Sequence, residues 1–139
     1  MLTVRDVMTT EVFVLQATQT LALVRSLMKN KHIRHVPIVD GQDRFVGLLT
    51  HRDLLAQTIS MLAEIDEAEQ EYLDRNIYIV NVMKTDVVTA NSDMDLVSAI
   101  HVLLEHKYGC LPVVDNEKLV GIVTEADFLR LTLGLLEKI

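Results

Sequence analysis

The chain carries one sequence pattern twice, in the same order along its 139 residues. Each copy opens on Val-Met, continues to a proline inside an apolar run, and closes on Gly-x-x-Thr-x-x-Asp. One constant offset aligns Met8 with Met83, and after a one-residue gap in a later turn residues 47–53 align with 121–127. Because a unit of about 60 residues is only marginally stable alone, we expect two similar units that support each other.

The spacing of apolar residues predicts the same five elements in each copy. A short extended segment comes first, followed by a polar stretch in which Thr18, or Ser92 with Asp95, can cap a helix. The sequence therefore predicts an α/β fold of the α+β kind, with two pseudo-symmetric repeats that each run strand, helix, strand, strand, helix. The extended segments are 12–14 and 87–89; the helices carry Leu21, Val24, Leu27 and Met28, or Leu96, Ala99, Ile100 and Leu103; the hairpin strands are 36–39, 45–49, 111–114 and 119–123.

A helical connector is predicted between the repeats. Residues 54–75 contain neither proline nor glycine, and Leu55, Ile59, Leu62 and Ile65 fall on one helical face opposite an acidic face. This connector either packs on the core or offers a docking surface. We divide the chain into a first repeat over 1–58, a connector over 59–78 and a second repeat over 79–139.

Composition narrows the classes of function. The formal net charge of −7 disfavours a nucleic-acid partner, which would require many phosphate contacts from Lys and Arg. Cys110 is the only cysteine, and no apolar run approaches the length of a membrane-spanning helix or a signal core. We therefore expect a cytoplasmic protein without a membrane or nucleic-acid partner. Because half of the residues are hydrophobic and few are aromatic, some aliphatic surface is expected to be covered by another subunit.

The chemistry at Thr-x-x-Asp has two interpretations. Thr50 and Thr124 can cap the following helices, with Asp53 and Asp127 in the first turn, where the helix dipole favours a carboxylate. Alternatively, each carboxylate can accept hydrogen bonds from the two hydroxyls of a ribose, while the threonine and free helix amides receive a phosphate. The repetition of this spacing in both copies, with changed residues between, favours the ligand role.

Other candidate sites are weaker. The pairs His32 with His35 and His101 with His106 lack an acidic or cysteine partner at a spacing diagnostic of a metal site. Cys110 lies beside an apolar run without an identifiable base, which is typical of a packed thiol. No glycine-rich phosphate loop occurs. An enzyme is therefore the least supported class, and no metal or required cofactor is expected.

The repeated Val-Met lead-in, the hydrophobe-Pro-x-Val-Asp strand and Gly-x-x-Thr-x-x-Asp together resemble CBS domains, and the whole chain resembles a Bateman module of two such domains. The resemblance implies a non-catalytic regulatory module of the stand-alone bacterial or archaeal type, which binds AMP, ADP or ATP in clefts between the repeats. It also implies a homodimer that signals to an effector protein on another chain. Two alternatives remain: a sensor of S-adenosylmethionine, and a dimerising interaction scaffold that works without a ligand.

The resemblance also assigns roles to residues. Asp53 and Asp127 would hold ribose diols, and Thr50 and Thr124 would lie near ribose or phosphate. Two groups complete the expected sites. The base pockets are expected to be lined by Thr10, Val12, Thr85 and Val87. An apolar slot for adenine can be provided by Val12, Val36, Pro37, Val87, Leu111 and Pro112. The stretch before each proline, which supplies phosphate ligands, is Arg34-His35 in one copy and Gly109-Cys110 in the other, so we expect unequal sites, with Arg34 and His35 as the main phosphate ligands, aided by Arg52 or Lys107.

Overall fold

The computed structural model of the chain describes residues 2–60 and 67–139. In chain order the elements are α1 (Val4–Val7), β1 (Leu15–Gln16), α2 (Leu21–Lys31), β2 (His35–Val39), β3 (Phe45–Thr50), α3 (His51–Ser60), α4 (Glu67–Arg75), a 3₁₀ turn (Ile79–Asn81), α5 (Leu96–Glu105), β4 (Cys110–Asp115), β5 (Lys118–Thr124) and α6 (Glu125–Glu137). The predicted α/β class, the two hairpins and the helix that follows each hairpin are confirmed.

The chain divides into two compact units that do not follow the sequence repeats. The central unit is Phe13–Val87, and the terminal unit combines Met1–Val12 with Val88–Ile139. Each unit thus contains the hairpin of one repeat and the Val-Met lead-in of the other repeat.

The central unit is built on a three-stranded sheet in the order β1-β2-β3. Strand β1 runs parallel to β2, and β2 runs antiparallel to β3 with His35 opposite Thr50. The apolar face of α2 covers this sheet, and Leu21, Val24 and Met28 are buried as their spacing predicts. The core also contains Ile38 and Leu49 from the two hairpin strands.

The terminal unit repeats this arrangement with a two-stranded sheet, β4-β5, in which Cys110 lies opposite Thr124. Ala99 and Leu103 of α5 are buried against it, and Val4 of the amino-terminal segment belongs to the same core. The hairpin turn is tight, because Asn116 and Glu117 adopt positive φ angles of 51° and 71°.

The first strand of each repeat is shorter than the sequence predicts. In the first repeat the strand is Leu15–Gln16 rather than 12–14, because the chain first turns back through a hydrogen bond from the Val12 amide to the Thr10 carbonyl (3.1 Å). In the second repeat the strand over 87–89 is reduced to a single bridge between Ala90 and Val113.

Both predicted helix caps are displaced along the chain. The N-cap of α2 is Thr20 rather than Thr18, because the segment before the helix pairs with the residues after α4, through Ile79 N to Gln19 O (2.8 Å). The N-cap of α5 is Asp95, which accepts from the Ser98 amide, whereas the Ser92 hydroxyl donates to Asp115 (2.6 Å). Of the polar residues near a helix start, some therefore cap the helix and others make tertiary contacts.

The carboxyl-terminal part of the predicted connector is helical and packs on the central unit. Asp74 of α4 is 1% exposed and accepts from Arg25 Nε of α2 at 2.5 Å, and Gln70 donates to its other oxygen at 2.9 Å. This ion pair fixes α4 against α2. The predicted apolar face extends over Leu62 and Ile65, which lie outside the described residues.

Candidate functional site

In the central unit the chain passes from strand β3 to helix α3 through a reciprocal cap. The Thr50 amide and hydroxyl both donate to Asp53 Oδ2, at 2.8 and 2.9 Å, and the Asp53 amide donates to Thr50 Oγ1 at 3.3 Å. The Asp53 side chain is 16% exposed. The motif therefore has a structural role, since it satisfies the Thr50 and Asp53 amides at the start of α3.

The terminal unit repeats the cap between β5 and α6. The Thr124 amide donates to Asp127 Oδ2 at 2.9 Å and the Thr124 hydroxyl at 3.3 Å. The Asp127 side chain is 7% exposed. A third Thr-x-x-Asp, Thr3 with Asp6, makes the same amide contact at 2.8 Å at the start of α1, but Asp6 is exposed. All three aspartates therefore form the same cap, and Asp53 and Asp127 differ from Asp6 in being less exposed to solvent.

The second carboxylate oxygen of Asp53, and likewise of Asp127, faces the lead-in of the other repeat. Asp53 Oδ1 forms an ion pair with Lys84 Nζ. Asp127 Oδ1 accepts from Thr9 Oγ1 at 3.2 Å and from Arg130 Nη1 at 3.1 Å, the latter from the next turn of α6. The two lead-in residues are equivalent, since each bridges the middle of the hairpin strand: Lys84 to Leu48, and Thr9 to Ile122.

Sequence reasoning selected the residues beside these contacts but missed the contacts themselves. Thr10 and Thr85 were predicted to line the sites, whereas the preceding residue in each copy, Thr9 or Lys84, touches the aspartate. The repeat alignment places Thr9 opposite Lys84, and both residues directly follow Val-Met. This shared position is the sequence feature that could have identified them. Thr10 and Thr85 are exposed, and Val12 and Val87 are half-buried.

The glycine that opens the motif makes room for the lead-in. A Cβ atom on Gly47 would lie 2.7 Å from Met83 Sδ and 2.9 Å from the Lys84 carbonyl oxygen. A Cβ atom on Gly121 would meet Met8 Sδ and the Thr9 carbonyl at the same two distances. Any side chain here would push the lead-in, and with it Lys84 or Thr9, away from the aspartate.

The residues that precede each proline lie beside the capping threonine. The His51 amide donates to the Arg34 carbonyl at 2.8 Å, and His35 pairs with Thr50 across the hairpin. Arg34, His35 and the Thr50 cap are therefore brought to one end of the central hairpin. Arg52 is exposed in the first turn of α3.

The matching position in the terminal unit is neutral. Gly109 has a φ of 77°, which favours glycine, and Cys110 lies opposite Thr124. Burial raises the pKa of the Cys110 thiol to about 12, so this cysteine is a poor nucleophile. Lys107 is exposed, two residues before Gly109.

The two prolines lie within the hairpins. Pro37 pairs with Leu48 and Pro112 with Ile122, and both are buried. Among residues 2–60 and 67–139, no three His, Cys, Asp or Glu side chains are grouped as metal ligands. A cavity of about 400 Å³ lies on α4, lined by Ala68, Glu69, Tyr72 and Leu73, and includes none of the predicted ligand residues.

Comparison with known proteins identifies the family. The CBS domain family matches residues 4–59 and 79–134, so this chain belongs to that family and contains a tandem pair of the domains. The CBS domain-containing protein YhcV of Bacillus subtilis is 33% identical over 91% of this chain and 83% of its own length. The division into 1–58, 59–78 and 79–139 stays a prediction.

Two solved structures share the fold over nearly the whole chain. One is a protein of Vibrio cholerae described as a putative acetoin utilization protein, AcuB, with 37% identity, a TM-score of 0.83 and coverage of 99% of this chain and 94% of that one. The other is CBSX2 of Arabidopsis thaliana, solved in complex with AMP, with 26% identity, a TM-score of 0.81 and coverage of 96% and 97%. Within the described part of this chain, no helix has the length and apolarity to cross a membrane.

Proposed function

We propose that this chain is a non-catalytic regulatory module that binds an adenine nucleotide, with the ribose held by Asp53 in the central unit and by Asp127 in the terminal unit. The observation that carries the proposal is the pair of carboxylates, of which Asp127 is buried and Asp53 is partly buried. Each uses Oδ2 to cap a helix and directs Oδ1 toward the lead-in of the other repeat. A carboxylate oxygen in this position can accept from ribose hydroxyls without loss of the cap.

The phosphate end of the site belongs to the central unit. Arg34 and His35 stand beside the Thr50 cap, Arg52 is on the first turn of α3, and the positive end of the α3 dipole favours an anion. The terminal unit has Gly109, Cys110 and Ala126 at the equivalent positions. We therefore expect the central unit to be the stronger nucleotide site. Thr85 and Val87 of the central unit, and Thr10 and Val12 of the terminal unit, are expected near the base.

The comparisons support the ligand class. CBSX2, which covers this chain almost completely, was solved with AMP. The choice among AMP, ADP, ATP and S-adenosylmethionine is part of the test. We also propose a cytoplasmic location and an effector on another chain, as the composition and the family resemblance imply.

The aliphatic surface of the terminal unit favours assembly with a second copy of the chain. Leu129, Leu133 and Leu136 of α6 are spaced at one helical face and are 70%, 56% and 59% exposed, and Leu104 of α5 is 76% exposed. We expect a homodimer by light scattering at micromolar concentration, and Leu133→Glu should yield a monomer with an unchanged circular dichroism spectrum. A monomeric wild-type chain would contradict this part of the proposal.

Calorimetry tests nucleotide binding directly. AMP, ADP, ATP and S-adenosylmethionine are titrated into the wild type, Asp53→Asn, Asp127→Asn and the double variant. Each asparagine keeps the size and an acceptor for the cap but loses the charge, so the strongest ligand should lose about 10- to 100-fold affinity, as expected for hydrogen bonds to a charged group. Asp6→Asn is the matched control, because it changes the exposed third cap in the same way.

Two results would exclude the proposal. One is the absence of binding by any of the four ligands at millimolar concentration in the wild type. The other is unchanged affinity in the double variant. If a partner protein then binds equally well with and without nucleotide, the chain is the ligand-independent scaffold.

A further inference from the structure

Both oxygens of the Asp53 carboxylate are engaged in the structure. Oδ2 accepts from the amide and hydroxyl of Thr50, and Oδ1 forms the ion pair with Lys84. The Lys84 side chain is 36% exposed, and its backbone is fixed to Leu48 by two hydrogen bonds of 2.8 Å. The backbone is therefore fixed, and the partly exposed ammonium group is held by its ion pair with Asp53.

A ribose that approaches Asp53 Oδ1 competes with this ammonium group. Hydroxyl groups that replace Lys84 on the carboxylate leave a cation without its partner in a partly buried place, which is unfavourable. A ligand that carries its own anion removes the penalty, because the four-carbon stem lets the ammonium turn to that anion. A neutral nucleoside offers no such group, so it bears the full cost.

We propose that Lys84 is a specificity-determining residue that makes the central unit select phosphorylated adenine ligands over neutral nucleosides. The ammonium exchanges Asp53 for the phosphate when the ribose binds. This role rests on the nucleotide-binding function proposed above and extends it to a residue outside the predicted set.

The terminal unit provides an internal comparison. At the position of Lys84 it has Thr9, a neutral donor at 3.2 Å from Asp127 Oδ1, and at the positions of His51 and Arg52 it has Glu125 and Ala126. The cation that does reach Asp127, Arg130, is 73% exposed and lies in the same helix, so solvent stabilises it when it moves away. We therefore expect little preference for phosphate in this unit.

The test compares AMP with adenosine in the Asp127→Asn background, so that binding reports the central unit. Lys84→Met keeps the length of the side chain and removes the charge. It should lower the preference for AMP over adenosine about tenfold, through weaker AMP binding and equal or tighter adenosine binding. The control is Arg44→Met, which removes one positive charge from the Asp40 ion pair in the hairpin turn of the same unit and should leave the preference unchanged.

A reciprocal variant makes the test independent of the folding of Lys84→Met. Thr9→Lys in the Asp53→Asn background should create a preference for AMP over adenosine in the terminal unit, by about the same factor. If Lys84→Met leaves the ratio of AMP to adenosine affinity unchanged, or if Arg44→Met lowers this ratio equally, the role of Lys84 is overturned while the nucleotide site stands. Failure of the parent Asp127→Asn chain to bind AMP, when the wild type binds it, would place binding in the terminal unit and overturn the role too. Failure of the wild type to bind any adenine ligand would overturn both proposals.

Discussion

At the scale of single residues, Gly47 and Gly121 lie where a side chain has no room. Each lies on a hairpin strand against a methionine sulfur and a backbone carbonyl, and the carbonyl belongs to the residue that contacts the buried aspartate. A methionine can rearrange, but the carbonyl is held by ladder hydrogen bonds.

We predict that Gly47→Ala and Gly121→Ala each lower the free energy of unfolding by about 1–3 kcal/mol, the usual cost of overpacking. Gly134→Ala is the control: it is exposed in α6, nothing lies within 4 Å of the added Cβ, and it should stabilise by about 0.5–1 kcal/mol. Urea denaturation followed by circular dichroism measures all three. Equal stability of the three variants would contradict the close approach of the lead-ins.

The contacts of Asp53 and Asp127 show which features of the site could be predicted from the sequence and which could not. The Thr-x-x-Asp caps were predictable, because their partners are three residues apart and the helix start imposes the geometry. The contacts of Thr9 and Lys84 were not, because they join residues 118 and 31 positions apart and depend on how each lead-in crosses a hairpin. The repeat predicted the neighbouring residues, Thr10 and Thr85, and only the fold identified Thr9 and Lys84 as the partners.

At the scale of secondary structure elements, the aspartates at the end of the first hairpin strand, Asp40 just after β2 and Asp115 in β4, have different hydrogen-bond partners in the two repeats. Asp40 accepts from the Gln42 and Arg44 amides, and the Gln42 bond is the main cause that keeps the pKa of Asp40 below its usual value. Asp115 accepts instead from Ser92, through the hydroxyl at 2.6 Å and the amide at 2.9 Å. The Ser92 hydroxyl is the main cause that lowers the pKa of Asp115, and the charge of Arg5 adds to the effect.

A depressed folded-state pKa makes stability depend on pH in the acid range. Asp115 is stabilising above the ordinary aspartate pKa of about 3.9, and that contribution is lost as the pH falls through its lower folded-state value. We predict that the unfolding free energy falls below about pH 4 and that Asp115→Asn reduces this fall. Urea titrations between pH 2.5 and 6 measure it, with Glu117→Gln as a control that removes an exposed carboxylate from the same turn. If the unfolding free energy has the same pH dependence in the wild type and in Asp115→Asn, the hydrogen bonds from Ser92 do not stabilise the ionised form of Asp115.

Most elements followed from their apolar patterns, because the helices α2 and α5 bury one face each and the hairpin strands bury runs of successive apolar residues. The residues at which α2 and α5 begin did not follow from the sequence. Thr18 and Ser92 are good capping residues, but residues before α2 pair with Ile79, and Ser92 is taken by Asp115. Long-range pairing thus decides which of several polar residues ends up as the cap.

At the scale of the whole molecule, the two compact units have similar folds but carry different charges at aligned positions. Lys84, Arg34 and Arg52 belong to the central unit, where the aligned residues of the terminal unit are Thr9, Gly109 and Ala126. The chain as a whole has a net charge of −7, so these cations form a local exception that favours an anionic ligand. We therefore propose that the two similar folds provide two unequal sites.

The most direct test of this proposed nucleotide site is a crystal structure of the wild-type chain grown with saturating AMP. We predict ribose hydroxyls within about 3 Å of the Asp53 carboxylate, the usual hydrogen-bond range, with Lys84 Nζ turned from Asp53 to the phosphate. AMP bound with its ribose away from both Asp53 and Asp127, or no AMP in either unit at saturation, would contradict it.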